Sequence, residues 1–356
     1  MTDREDPAGP RTVVLAAPAD GRDALDDLAC KASRASRADD VVGCALELAS
    51  SRGAGLPRPG HGRTVELWSA LATLGAVDLT VARAVEPHLD ALAILAEADR
   101  SAPPDTTWGV YAAEGPGERL RATAHGGGWV LDGHKPWCSL AGRVSHALIT
   151  AWVDDSTRRL FAVDLRQDGV EPVPAKGTWV GHGLPLITSS GVDLTGVEAD
   201  PVGENGWYLT RPGFAWGGIG VAAIWYGGAV GIARRVVEQV RKREPDQIAE
   251  LHVGRLDLAL ASAREALVAA AGAVDSPSGP GVFPELLAVR TRSQVADAVD
   301  TVIQVADHAM GPAPLAYDAE HAQRVSDLRL YVRQHHAERD VAALGHQVLA
   351  DEQGPW

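Results

Sequence analysis

WGVYAAEGPGERLRATAHGGGWVLDGHKPWCSLAGRVSHALITA, residues 108–151, is the stretch that separates a β-rich centre from helical flanks. Apolar or alternating runs recur here and just beyond: 108–113, 119–124, 128–135, 145–153, 158–165 and 191–199. Each is bounded by turn formers, the texture of antiparallel strands in a barrel or sandwich. The glycines at 126–128 and the DDS at 154–156 suit hairpin turns.

The pattern changes on either side. Before the strands, residues 22–50 carry Leu25, Leu28, Val41, Val42, Leu46 and Leu48 at spacings that predict a helix. The Gly/Pro/Arg-rich run 51–64 predicts a loop, and helices are expected over 65–76 and 78–98. Asp78 is placed to cap the second of these, and Pro87 is expected to kink or divide it. From 214 onward strand signals vanish. Helical runs are expected over 214–242, 245–273, 285–309 and 322–350, joined by short loops as in a bundle. The fold class is therefore α+β: N-terminal helices (1–105), a middle antiparallel β-barrel (106–210) and a C-terminal helical bundle (211–356).

Composition narrows the function. With 356 residues and a formal charge of −14, the chain lacks the clustered cations that a nucleic-acid surface needs. Cys30, Cys44 and Cys138 have neither disulfide-framework nor zinc spacing. The opening MTDREDPAGP has no basic or apolar leader region, so the cytoplasm is the expected location. The uncharged run FAWGGIGVAAIWYGGAVGIA (214–233) is long enough to span a bilayer. Gly and Ala dominate it, however, and they gain little on transfer to lipid. A tightly packed buried helix is expected instead, with no membrane partner.

Gly218-x-Gly220-x-x-Ala223 has a dinucleotide-like spacing, but Pro212 and Gly213 interrupt the segment where a hydrophobic strand should precede it. No phosphate loop, nucleophile elbow or HExxH motif is present. His335 falls on the apolar stripe of the last helical run with Val325, Leu328 and Val332, while His336 points aside. A buried histidine of this kind is either a hydrogen-bonded core residue or a general base working near neutral pH. Trp137 has two readings as well: a barrel-core aromatic, or a flat ring beside a flat cofactor.

The helix–barrel–bundle order and the segment GHKPWCS (133–139) together resemble the acyl-CoA dehydrogenase family. Gly133, Lys135, Trp137 and Ser139 match its G-x-K-x-W-[IC]-[ST] motif, and HAMGPAPLAYDAEHAQRVSDLRLY (308–331) is similar to its late glycine-to-Arg-Asp segment. The resemblance, over about residues 65–345, implies bound FAD. It implies that Trp137 packs against the isoalloxazine, that Ser139 meets its polar edge, and that the backbone of Ala112 and Ala113 meets the pyrimidine edge, with Gly311 a further cofactor contact. It also implies an oxidoreductase carrying out α,β-dehydrogenation of an acyl thioester. The expected partners are a small-molecule substrate with acyl-CoA among the candidates, an electron-acceptor flavoprotein or oxygen, and further copies of the chain in a homodimer or homotetramer.

The departures bear on chemistry. The flavin-binding loop is shortened to AAEGPGERL (112–120), and the family's common base, a glutamate eight residues beyond an aspartate, falls on His335 when counted from Asp327. His335 is thus the candidate base, and a glutamate relocated to another helix, as in some branches of the family, is the other. A flavin monooxygenase on the same fold, or a catalytically degenerate flavin- or acyl-CoA-binding protein, is the alternative.

Overall fold

In the computed structural model, residues 10–16, 22–115, 117, 119–174, 179–276 and 283–350 are described. The chain begins with α1 (Arg22–Ala35), α2 (Val41–Arg52), α3 (Thr64–Val77) and α4 (Leu79–Glu97). Seven strands follow: β1 (Trp108–Tyr111), β2 (Arg121–His125), β3 (Gly128–Lys135), β4 (His146–Trp152), β5 (Arg158–Asp164), β6 (Val170–Pro172) and β7 (Val192–Val202). The remainder is helical, with α5 (Trp207–Thr210), α6 (Pro212–Val240), α7 (Gln247–Val274) and α8 (Pro284–Met310). Three more helices complete it, α9 (Ala313–Tyr317), α10 (Ala319–Tyr331) and α11 (Glu338–Ala350).

The chain divides into two compact units. One comprises the described residues of 1–39, 57–82 and 215–356, and the other comprises 40–56 and 83–214. The early helices are thus shared between the units, and the division falls within α4.

The second unit is built on the strands. β4, β2, β3, β7 and β5 pair in a closed ring, with β1 added to β4 and β6 to β7. The ring closes between β2 and β4 through the single pair Arg121 and Trp152. The ring pairs are antiparallel except for a single parallel contact between β2 and β4, and β1 also lies parallel to β4. The register slips between Leu131 and Gly133, where Gly133 has φ +118°, and a Cβ there would lie 2.7 Å from the Arg119 carbonyl oxygen. Only glycine fits that bulge. Beside the strands, Ala91, Ile94 and Leu95 of α4 pack with Trp108, Leu148, Leu160, Val202 and Tyr208 in one apolar cluster.

The helical unit packs α7 on α8, α1 on α3 and α11 on α8. The Gly-rich run expected to be a buried helix lies in α6, the single helix among the described residues long and apolar enough to cross a membrane. Ile219, Ala222, Ala223, Ile224, Trp225, Ala229, Ile232 and Val236 of α6 are all buried inside the protein. Residues 10–15 are tied to α3, the Val13 and Leu15 amides donating to Thr73 Oγ1 (3.0 Å) and Ser69 Oγ (3.2 Å).

Three local expectations are corrected. The helix expected over 22–50 is interrupted at 36–40, where Asp40 caps α2 by accepting from the Gly43 amide. Pro87 neither divides nor ends α4, because Val85, His88 and Ala91 around it are buried and packing holds the helix together. The run expected over 322–350 is broken by a 3₁₀ turn at Val332–Gln334 and an extended His335. There Asp340 accepts from the His336 amide at 3.0 Å, Ala337 adopts φ +48°, and α11 begins as a separate helix at Glu338. Strand β6 and helix α5 had no clear signal, being three and four residues long.

Candidate functional site

The motif GHKPWCS runs from the end of β3 into a loop that the β7 approach holds in place. The Cys138 amide donates to Ser190 O (2.7 Å) and the Leu140 amide donates to Thr188 O (2.8 Å). Trp137, just before the first anchor, has φ +59°, and Leu140, the second, has φ +57°. Left-handed backbone at bulky residues is strained and persists only where surrounding bonds enforce it. The consequence is an indole turned outward: Trp137 is 59% exposed, although it sits beside fully buried Lys135 and Cys138. The barrel-core reading of Trp137 therefore fails. Burial pushes the Cys138 thiol up to about 12, which removes it as a thiolate nucleophile.

Ala112 and Ala113 follow the end of β1 and lead into Glu114 and Gly115. Two contacts bring this loop to the motif. A Cβ on Gly115 would be 3.2 Å from Pro136 Cγ, and Lys135 Nζ donates to Glu114 Oε1 at 2.7 Å. Glu114 also accepts from Trp152 Nε1 (3.2 Å) and Arg158 Nη1 (3.2 Å), and Lys135 donates a second bond to Thr150 Oγ1 (2.9 Å). Burial alone would raise the Glu114 pKa, but the bonds from Lys135, Trp152 and Arg158 outweigh it and hold the carboxyl below its ordinary value. This ion pair, with Lys135 buried and Glu114 open to solvent, clamps the 112–115 loop to the Trp137 segment.

Ser139 is buried and multiply bonded. Its Oγ accepts from Arg83 Nη2 at 3.0 Å and shares a 2.7 Å bond with Ser189 Oγ, while its carbonyl accepts from Tyr111 Oη at 3.0 Å. Arg83 comes from α4, and its Nη1 lies 3.6 Å from Glu86 Oε2. Nothing in the sequence pointed to Arg83, Ser189 or Glu114, because a polar residue in a helix or loop carries no periodic mark of a distant partner. Lys135 was marked only as a matched position of the GHKPWCS motif, with no role attached.

Gly311 and His335 belong to the helical unit. Gly311 terminates α8 with φ +68°, its amide donating to Asp307 O at 3.0 Å, a conformation that favours glycine for local reasons. His335 is 5% exposed; its Nε2 is 3.0 Å from Ser293 Oγ and 3.7 Å from Asp340 Oδ2. Burial lowers its pKa below the ordinary imidazole value, against the opposing pull of Asp340. His336 is exposed and bonds Asp340 Oδ1 through Nδ1 at 3.1 Å. Among the described residues there is no cluster of three or more His, Cys, Asp or Glu side chains arranged to hold a metal.

Thus Ala112, Ala113, Trp137 and Ser139 gather in one unit, and Gly311 and His335 lie in the other.

No family model matches the sequence, and no curated protein matches it either. Solved structures do. Butyryl-CoA dehydrogenase from Megasphaera elsdenii superposes with a TM-score of 0.77 over 94% of this chain and 99% of its own, at 16% identity. The chain has the acyl-CoA dehydrogenase fold. KijD3 in complex with dTDP shares that fold with a TM-score of 0.77, 19% identity, and coverage of 96% of this chain and 100% of its own. KijD3 has also been solved with FMN and a dTDP-3-amino-4-keto sugar. Nitrososynthase from Micromonospora carbonacea var. africana gives a TM-score of 0.72 at 20% identity, over 90% of this chain and 94% of its own.

Proposed function

We propose that the chain is a flavin-dependent oxidoreductase. The reading is carried by the exposed indole of Trp137, held in a strained left-handed conformation beside the clamped loop of Ala112 and Ala113. A flat apolar ring kept out of the core against conformational cost fits an aromatic ligand. The donor set agrees, since Ser139 and the backbone around it suit the polar edge of a ring rather than a metal. The same fold holds FMN in KijD3, which supports a flavin without deciding between FMN and FAD.

When bound, a flavin supplies a two-electron acceptor. The rest falls to the chain. Trp137 offers its face to the ring, Ser139 offers a hydrogen bond to the edge, and the Lys135–Glu114 pair fixes the distance between the two supporting segments. Purified protein should take up FAD or FMN with quenched flavin fluorescence, and Trp137→Ala should weaken that uptake about tenfold through lost stacking. Absence of uptake of either flavin by the native protein would sink the proposal.

Dehydrogenation of an acyl thioester needs a group to accept the α proton, and His335 is the candidate. Burial keeps its imidazole unprotonated at neutral pH, as a base requires. A second reading, oxygen-dependent hydroxylation, is favoured by one observation: His335 is almost fully buried and its Nε2 is engaged by Ser293. That chemistry makes no demand on His335. Anaerobic bleaching of the flavin by an acyl-CoA panel supports the first; substrate-dependent NADH and oxygen consumption with a reductase supports the second. His335→Ala should abolish the bleaching in the first case and leave turnover intact in the second.

A further inference from the structure

The Ser139 hydroxyl has one proton to give and two lone pairs to fill. Arg83 Nη2 donates into one of them at 3.0 Å. Ser189 Oγ, at 2.7 Å, is at ideal hydroxyl–hydroxyl distance, whereas its other acceptor, Ile187 O, lies at 3.4 Å, beyond the ordinary range. Either hydroxyl can give the proton in that bond, and with an acceptor at the ring edge Ser189 donates to Ser139 at the expense only of its long contact to Ile187 O. With both lone pairs filled, the Ser139 proton is directed to a third acceptor.

The arrangement is also charged. The Arg83 side chain is 15% exposed, braced by Glu86 on the same helix face, and the Ser139 carbonyl is fixed by Tyr111. A guanidinium donating into a hydroxyl polarises its O–H bond and strengthens the bond that hydroxyl gives in turn.

We propose that Arg83 is a positioning residue for the flavin: by donating to Ser139 Oγ together with Ser189, it makes Ser139 an oriented, polarised donor toward the ring edge. This rests on the flavin reading above. Such a donor stabilises electron density arriving on the ring, so it favours the reduced form.

The test measures the reduction potential of the bound flavin against a reference dye, in holoprotein reconstituted with the flavin that binds. At the wild-type midpoint, Arg83→Met should lower the reduced-to-oxidised ratio about tenfold, the effect expected of losing a charge-assisted hydrogen bond. Arg83→Lys, which keeps a donor and the charge, should recover most of it. Ser189→Ala should give a smaller shift of the same sign. The decisive arm is the Ser139→Ala background, in which Arg83→Met should add little, because Arg83 acts through the hydroxyl. A merely structural Arg83 would lower the thermal midpoint of the apoprotein without this pattern in the potential.

An unchanged potential in Arg83→Met holoprotein, or an undiminished effect in the Ser139→Ala background, overturns the inference while leaving flavin binding intact. Should Arg83→Met fail to fold, Ser189→Ala and Arg83→Lys carry the same comparison, and a potential unmoved in Ser189→Ala counts against it. If the native protein binds no flavin, the functional reading falls and takes this inference with it.

Discussion

Gly227→Leu should unfold the helical unit or cost it about 3 kcal/mol or more, and even Gly227→Ala should destabilise. A Cβ at Gly227 would run into the carbonyl oxygen of Ala72, and reciprocally a Cβ at Gly75 would run into the carbonyl oxygen of Ile224. The backbones of α6 and α3 thus meet with no side chain between them. Gly228 faces Leu328 and Leu79 at 3.0 and 3.1 Å from where its Cβ would stand, so the same helix is close-packed on a second side. Glycine ordinarily weakens a helix interior by about 1 kcal/mol relative to alanine. That sets the control: Gly254 of α7 and Gly345 of α11 have nothing within 4 Å of an added Cβ. Gly254→Ala and Gly345→Ala should be neutral or stabilising, with Gly227→Ala opposite in sign, read as urea midpoints at constant m. If Gly227→Ala stabilises as the controls do, the close approach of α6 and α3 is wrong.

The second large effect is on acid stability and centres on His88. This residue of α4 is 3% exposed, and its Nδ1 has no hydrogen-bond partner among the described residues. Burial pushes its pKa down from 6.5 to about 4. The folded protein therefore keeps His88 neutral, while the unfolded chain takes up a proton once the pH falls below 6.5. Stability is fully present above the unfolded value, declines as the pH drops from about 6.5 towards 4, and levels off below. The loss reaches about 3 kcal/mol for a shift of this size. His88→Leu should flatten denaturation stability between pH 7 and pH 4.5 relative to wild type. Some slope should remain, since burial also lowers His146, His321 and His335. Parallel pH profiles for the two proteins would show that His88 is not the sensitive group.

Much of the fold was legible because it is written in short-range periodicity. Alternation marked β3, β4, β5 and β7, and the 3.6-residue recurrence marked α3, α4, α7 and α8 within a few residues of their ends. The break at His335 was not legible. Gln334, His335, His336 and Ala337 include no glycine or proline, and what ends the helix there is a pair of bonds, from His335 to Ser293 and from His336 to Asp340. Pro87 failed in the other direction, as a breaker overruled by packing on both sides of it.

The candidate site divides in the same way. GHKPWCS identified Trp137 and Ser139 as a pair, and the order of elements matched one known fold. Whether Trp137 faced the core or the outside could not be read, because alternation does not extend through a loop with two left-handed residues. The partners of Ser139 were equally invisible: Arg83 and Ser189 lie 56 and 50 residues away along the chain. The sequence by itself determined the run of helices and strands and the small residues that let α6 approach α3, since those follow from local propensity and side-chain volume. Only the tertiary structure decided that Trp137 stands exposed and that Ser139 is held by Arg83. A side-chain hydrogen bond between distant segments forms where the fold brings two groups within 3 Å, and no periodicity records that meeting in advance.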